Sequence, residues 1–154
     1  MEPERRQDLP DQGLSREIGR ACACFNLRRA ARIVTQRYDR ALKDVGLKGT
    51  QLSVLMAALN QRDVQLTRLA KSLGMERTSL TRTLAVLERR GLVETQPGRD
   101  RRERQIKLTP EGEETLRRAL PLWRQAQEEV IAALGQGQWE GLLGGLHQVV
   151  RKLR

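Results

Sequence analysis

Aromatic side chains are scarce in this chain. They make up 3% of 154 residues, as Phe25, Tyr38, Trp123 and Trp139. A protein that holds unpaired bases needs aromatic stacking platforms. None of the four lies in the most basic stretch, residues 66–109, so single-stranded nucleic acid is not the expected partner. Histidine and cysteine are as rare. The one histidine, His147, stands far from Cys22 and Cys24, which excludes the usual zinc arrangements. Two positions apart on a helix, the cysteine side chains diverge by about 200° and cannot bridge each other. Inside a cell both stay reduced. There is no nucleophile elbow, no Walker loop, no metalloprotease helix and no Cys–His pair at usable spacing. An enzyme is therefore not expected, nor a cofactor or a metal. His147 reads as an ordinary helix residue. No apolar run reaches the roughly 18 residues of a membrane span. The opening MEPERRQDLPDQG has no apolar core for a signal peptide. Residues 1–14 read as a disordered tail, and the protein is expected to be cytoplasmic.

Positive charge is abundant. Lysine and arginine number 29 against 19 acids, a net charge of +10. An excess of one sign on that scale implies a polyanionic partner. The length suits one domain, and 38% hydrophobic with 31% charged residues is ordinary for a helical protein.

The most informative stretch is LTRLAKSLGMERTSLTRTLAVLERRGLVETQPGRDRRERQIKLT, from Leu66 to Thr109. Thr67 is placed to cap a helix whose Leu69, Ala70 and Leu73 share a face. Gly74 ends it. Thr78 to Arg90 forms a second helix, with Leu80, Leu84 and Leu87 facing inward. Its other face carries Arg77, Thr78, Ser79, Thr81 and Arg82, crowded at the N-terminal end. In a helix-turn-helix that end enters the major groove, where arginine reads guanine and hydroxyls read base edges or phosphates. Gly91 stops the helix. Leu92 to Gln96 and Arg104 to Leu108 read as strands. Between them lies a turn, Pro97-Gly98-Arg99-Asp100-Arg101-Arg102. Arg99, Arg101 and Arg102 at this tip are expected to touch duplex DNA. Asp100 repels phosphate, so its expected role is to hold a neighbouring arginine.

Helices frame this unit. Ser15 to Val45 is one helical pattern with a heptad-like seam of Leu27, Ala31, Val34, Tyr38, Ala41 and Val45. Thr50 caps the next helix, which runs to Asn60. Val64 to Leu66 suits a short strand pairing with the wing. Pro110 opens a helix ending near Leu134, and Pro121 inside it predicts a kink near Arg117. Gly135 to Gly137 is a turn. In the last helix, Gln138 to Leu153, Gly141, Gly144 and Gly145 each weaken the helix by about 1 kcal/mol relative to alanine. They suggest packing against another helix.

The run GTQLSVLMAAL (Gly49 to Leu59), the two helices, the Asp100-Arg101-Arg102 wing and LTPEG (Leu108 to Gly112) resemble the MarR family of winged-helix regulators. The resemblance covers roughly Cys22 to Leu134. It implies a mainly α fold with a small β wing: a winged helix-turn-helix (46–109) flanked by dimerisation helices (15–45 and 110–154). It further implies a homodimer that binds a pseudo-palindromic operator, as a repressor, and releases it when an effector acts. Asp100 and Arg102 match the positions that steady the wing and reach the minor groove in that family. Phe25, Arg28 and Arg32 are the candidates for lining an effector crevice, where arginine would suit an anionic aromatic such as a phenolic carboxylate. Cys24 and Tyr38 are spaced as a reactive cysteine and a tyrosine are in the family's organic-hydroperoxide branch. They lie about 21 Å apart along a helix, and Arg28 stands where that branch has a second tyrosine. Cys24 is thus a lesser candidate for oxidative release. A second function class shares the same charge: an architectural protein that coats DNA without operator specificity.

Overall fold

Local hydrogen bonding breaks the first long helical pattern. In the computed structural model, which describes residues 12–61, 64–98 and 104–153, it becomes α1 (Gln12–Ala21) and α2 (Ala23–Ala41), separated at Cys22. The Asn26 amide donates to the carbonyls of Gly19, Arg20 and Cys22. In an unbroken helix the Gly19 and Arg20 carbonyls would serve backbone N–H groups four residues on, so the side chain competes with the helix there, while Cys22 O still accepts from Asn26 N–H. After α2 come a 3-10 turn, Lys43–Val45, and then α3, Gly49–Gln61. The expected single helix to Val45 is thus three pieces.

The chain divides into two units at Gln36/Arg37, inside α2. In the first, neither α1 nor the upstream part of α2 buries a residue. The second unit holds the core. Leu42, Leu47, Leu55, Leu69, Leu80 and Leu87 lie at its centre. It comprises the 3-10 turn, α3, β1 (Val64–Gln65), α4 (Leu66–Leu73), α5 (Arg77–Arg89), β2 (Val93–Pro97), β3 (Arg104–Leu108), α6 (Pro110–Leu134) and α7 (Gln136–Lys152). The strands form an antiparallel sheet in the order β1-β3-β2. Val64 and Thr95 flank Ile106 on either side, and Pro97 pairs with Arg104 nearest the tip.

Several expected helix starts are corrected. Thr67 lies inside α4, not at its cap; Gln65, the last residue of β1, leads straight into the helix with extended backbone and no side-chain cap bond. Thr50 lies inside α3. Its first N–H, from Gly49, is taken by the Asp39 carboxylate of α2 at 2.7 Å, and Gln51 reaches back to Lys48 N–H. The cap comes from another helix, which local pattern does not reveal. α6 starts at Pro110 as expected, with Thr109 as its cap, and runs through Pro121 to Leu134. Gly135 alone makes the turn into α7.

Candidate nucleic-acid interface

Burial of one leucine row fixes which face of α5 is presented. Leu80, Leu84 and Leu87 are buried in the core. Arg77, Thr78, Ser79, Thr81 and Arg82 are all exposed. Among the described residues neither Arg77 nor Arg82 has an ion-pair partner, so both guanidinium groups remain available. The Thr81 hydroxyl donates to Arg77 O at 2.9 Å. Its lone pairs therefore face outward as acceptors, the form that reads a base amino group.

The turn before α5 is tight. Gly74 (φ 61°) closes α4 and donates to Ala70 O and Lys71 O. At the other end Gly91 (φ 67°) closes α5, and Leu92 N–H returns to Leu87 O. That return bond moves the start of β2 to Val93. Both glycines sit in the left-handed region that side chains avoid.

The hairpin is anchored to α5. Thr95 of β2 donates its hydroxyl to the Glu88 carboxylate of α5. Thr109 makes a second anchor: it accepts from Gly112 N–H at 3.0 Å and donates to Gly91 O at 2.6 Å. The start of α6 is thereby pinned to the end of α5. Arg104 and Lys107 are exposed on β3. Arg99, Asp100, Arg101 and Arg102 lie outside the described residues. Glu88, Thr95 and Thr109 escape sequence reading because their partners lie in other elements.

The remaining candidates are on α2. Phe25, Arg28 and Arg32 are exposed, and so is Cys24, while Cys22 is half-buried. Tyr38 donates its hydroxyl to Gln127 of α6, and burial raises its pKa above the usual 10.0. In the second unit a cavity of about 190 Å³ opens between α3 and α6, lined by Leu52, Ser53, Met56, Leu120 and Trp123. A polar crevice of about 490 Å³ involves Arg37, Arg40, Asp44, Gln125 and Glu129. Among the described residues, no group of three potential metal ligands clusters, and no helix is long and apolar enough to cross a membrane.

Comparison with known proteins agrees with this geometry. A family model described as the MarR family matches residues 45–103. The transcriptional repressor MprA of Escherichia coli (strain K12) is 30% identical over 152 residues, spanning 97% of this chain and 80% of MprA. The M. tuberculosis transcriptional regulator MosR, solved in complex with DNA, is 42% identical with a TM-score of 0.74, covering 86% of this chain and 98% of that one. The transcriptional repressor CouR, solved bound to p-coumaroyl-CoA, is 27% identical with a TM-score of 0.78, covering 94% and 99%.

Proposed function

This chain belongs to the MarR family of transcriptional regulators and is not an enzyme, and from that premise we propose that it is a cytoplasmic repressor acting as a homodimer on a pseudo-palindromic operator in duplex DNA. One observation carries the reading. The exposed face of α5 collects arginine and short hydroxyl side chains at its N-terminal end, with its leucines buried behind. Arg77, Thr78, Ser79, Thr81 and Arg82 read the major groove. Arg99, Arg101 and Arg102, steadied by Asp100, make the wing contacts.

Two exposed apolar stripes support the dimer. On α2, Leu27 and Val34 are 39% and 38% exposed. On α7, Leu142, Leu146, Val149 and Val150 are exposed as well. Apolar rows of that length are normally covered. Residues 15–45 and 110–154 are the segments assigned to the dimer. A two-fold pair places two recognition helices about one DNA turn, about 10 bp, apart.

Release is by a small anionic aromatic effector, in keeping with the acyl thioester that CouR holds. The apolar cavity between α3 and α6 has room for a ring. Phe25, Arg28 and Arg32 on α2 are separate candidates for holding an anionic effector. Oxidation of the exposed Cys24 is the lesser route.

The test is binding at 150 mM salt to the protein's own promoter region and to a scrambled duplex. Preference for the promoter by about a thousandfold is expected of an operator-specific regulator. Equal binding to both, and to every duplex from a random-sequence selection, would favour the architectural reading. Addition of phenolic carboxylates, their thioesters or peroxide to the bound complex then identifies the release chemistry.

A further inference from the structure

The last turn of α2 and the 3-10 turn after it are tied to three other elements. Asp39 holds the start of α3, and Tyr38 holds α6 through Gln127. The third tie reaches the recognition helix. Arg90, the C-cap residue of α5, donates from Nη1 to Gly46 O at 2.6 Å and from Nη2 to Val45 O at 3.3 Å. These partners lie 44 and 45 residues away in sequence.

The chemistry of the match is specific. Val45 and Gly46 end a helical segment, where carbonyls lack intrahelical partners and carry partial negative charge. A guanidinium brings positive charge and a planar fork that meets two oxygens at once. The approach is close: a methyl group on Gly46 would stand 3.3 Å from Arg90 Nη2.

We infer that Arg90 is a positioning residue: it sets the angle between the recognition helix and the end of α2, and hence the separation of the two recognition helices in the dimer. The inference rests on the dimeric reading above. Within the second unit, Tyr38 ties the same turn to α6, and α6 leads through Gly135 into α7 with its exposed apolar stripe, so the fork connects α5 to the segment assigned to the dimer. Leu80, Leu84 and Leu87 hold α5 against the core whether or not Arg90 is present. The fork references the far end of α5 to α2. Its loss leaves each half-site contact intact and loosens the spacing between them.

The test uses the full chain and a duplex that the wild-type protein selects from a random-sequence pool. One or two base pairs are then inserted or removed between the half-sites. The wild-type protein should lose about tenfold or more in affinity per altered spacing. R90A should lose most of that discrimination. R90K keeps the charge but reaches one carbonyl, so it should fall between, and it carries the test if R90A does not fold. The salt slope should be unchanged in both variants. An R90A protein with the wild-type spacing profile overturns the inference, even if it melts earlier, because a purely structural role predicts that result. A salt slope flatter by about one unit also overturns it, since that marks a phosphate contact. A wild-type protein indifferent to spacing overturns the dimeric reading and this inference together; discrimination kept equally by both proteins overturns only the inference.

Discussion

Single side chains join the elements of the DNA-binding unit, and two of them give sharp tests. Tyr38 is the chain's one tyrosine, so an ultraviolet titration reads it without interference from another phenol. Its midpoint should lie above 10.0, because burial disfavours the phenolate. The sign follows: stability contributed by the neutral phenol is complete below the unfolded pKa and is lost as pH rises through the higher folded one. A midpoint at or below 10.0 would show that the ring is not desolvated. Gly112 sits in the first turn of α6, where alanine normally helps a helix. Here a Cβ would collide with Leu92 O and stand 2.8 Å from Leu108 Cδ1. Gly112→Ala should therefore destabilise by at least about 2 kcal/mol in a denaturant titration. No loss would mean that the end of α5 and the start of α6 are less tightly pinned than the Thr109 bonds indicate.

At the scale of elements, α5 and α7 differ in how their sequences specify them. α5 has a buried leucine row and a polar face, so orientation follows from pattern alone. Arg82→Ala should cost about 1–3 kcal/mol of binding and relax preference at one base pair, if Arg82 reads a guanine. Uniform weakening on all sequences would make it a phosphate contact instead. α7 is glycine-rich, and close packing on its glycines was the natural expectation. Within this chain nothing lies within 4 Å of a Cβ built at Gly141, Gly144 or Gly145. On a helical wheel Gly141 and Gly144 also fall away from the row of Leu142, Leu146, Val149 and Val150. Gly141→Ala and Gly144→Ala should each raise stability by about 0.5–1 kcal/mol and leave self-association unchanged. A lower melting temperature would show that a second chain packs on the glycine face.

For the whole molecule, the proposed self-association is what decides operator recognition. Leu146 is exposed at the middle of the α7 stripe. Leu146→Glu should drive the protein to monomers in sedimentation and abolish preference for a two-half-site operator. Residual non-specific DNA binding should persist, since the net charge of +10 falls only slightly and phosphate attraction is sequence-independent. A variant that stays dimeric would place the dimer contact elsewhere.

The sequence by itself determined the family, the mainly helical class, the winged unit and the face of α5 that points outward. Those rest on signals carried within a few residues: the leucine period, glycines at helix ends, the Pro-Gly turn, and the density of arginine. Tertiary structure alone decided how the pieces are joined. The split at Cys22 depends on one amide, Asn26, outbidding the backbone for the carbonyls of Gly19 and Arg20. The start of α3 depends on Asp39 of a different helix. Arg90 reads in sequence as one more basic residue in a charged run, and only the fold brings it to the carbonyls of Val45 and Gly46. Periodicity reports which face of an element is buried, but it carries no information about a hydrogen bond whose two ends lie more than 40 residues apart.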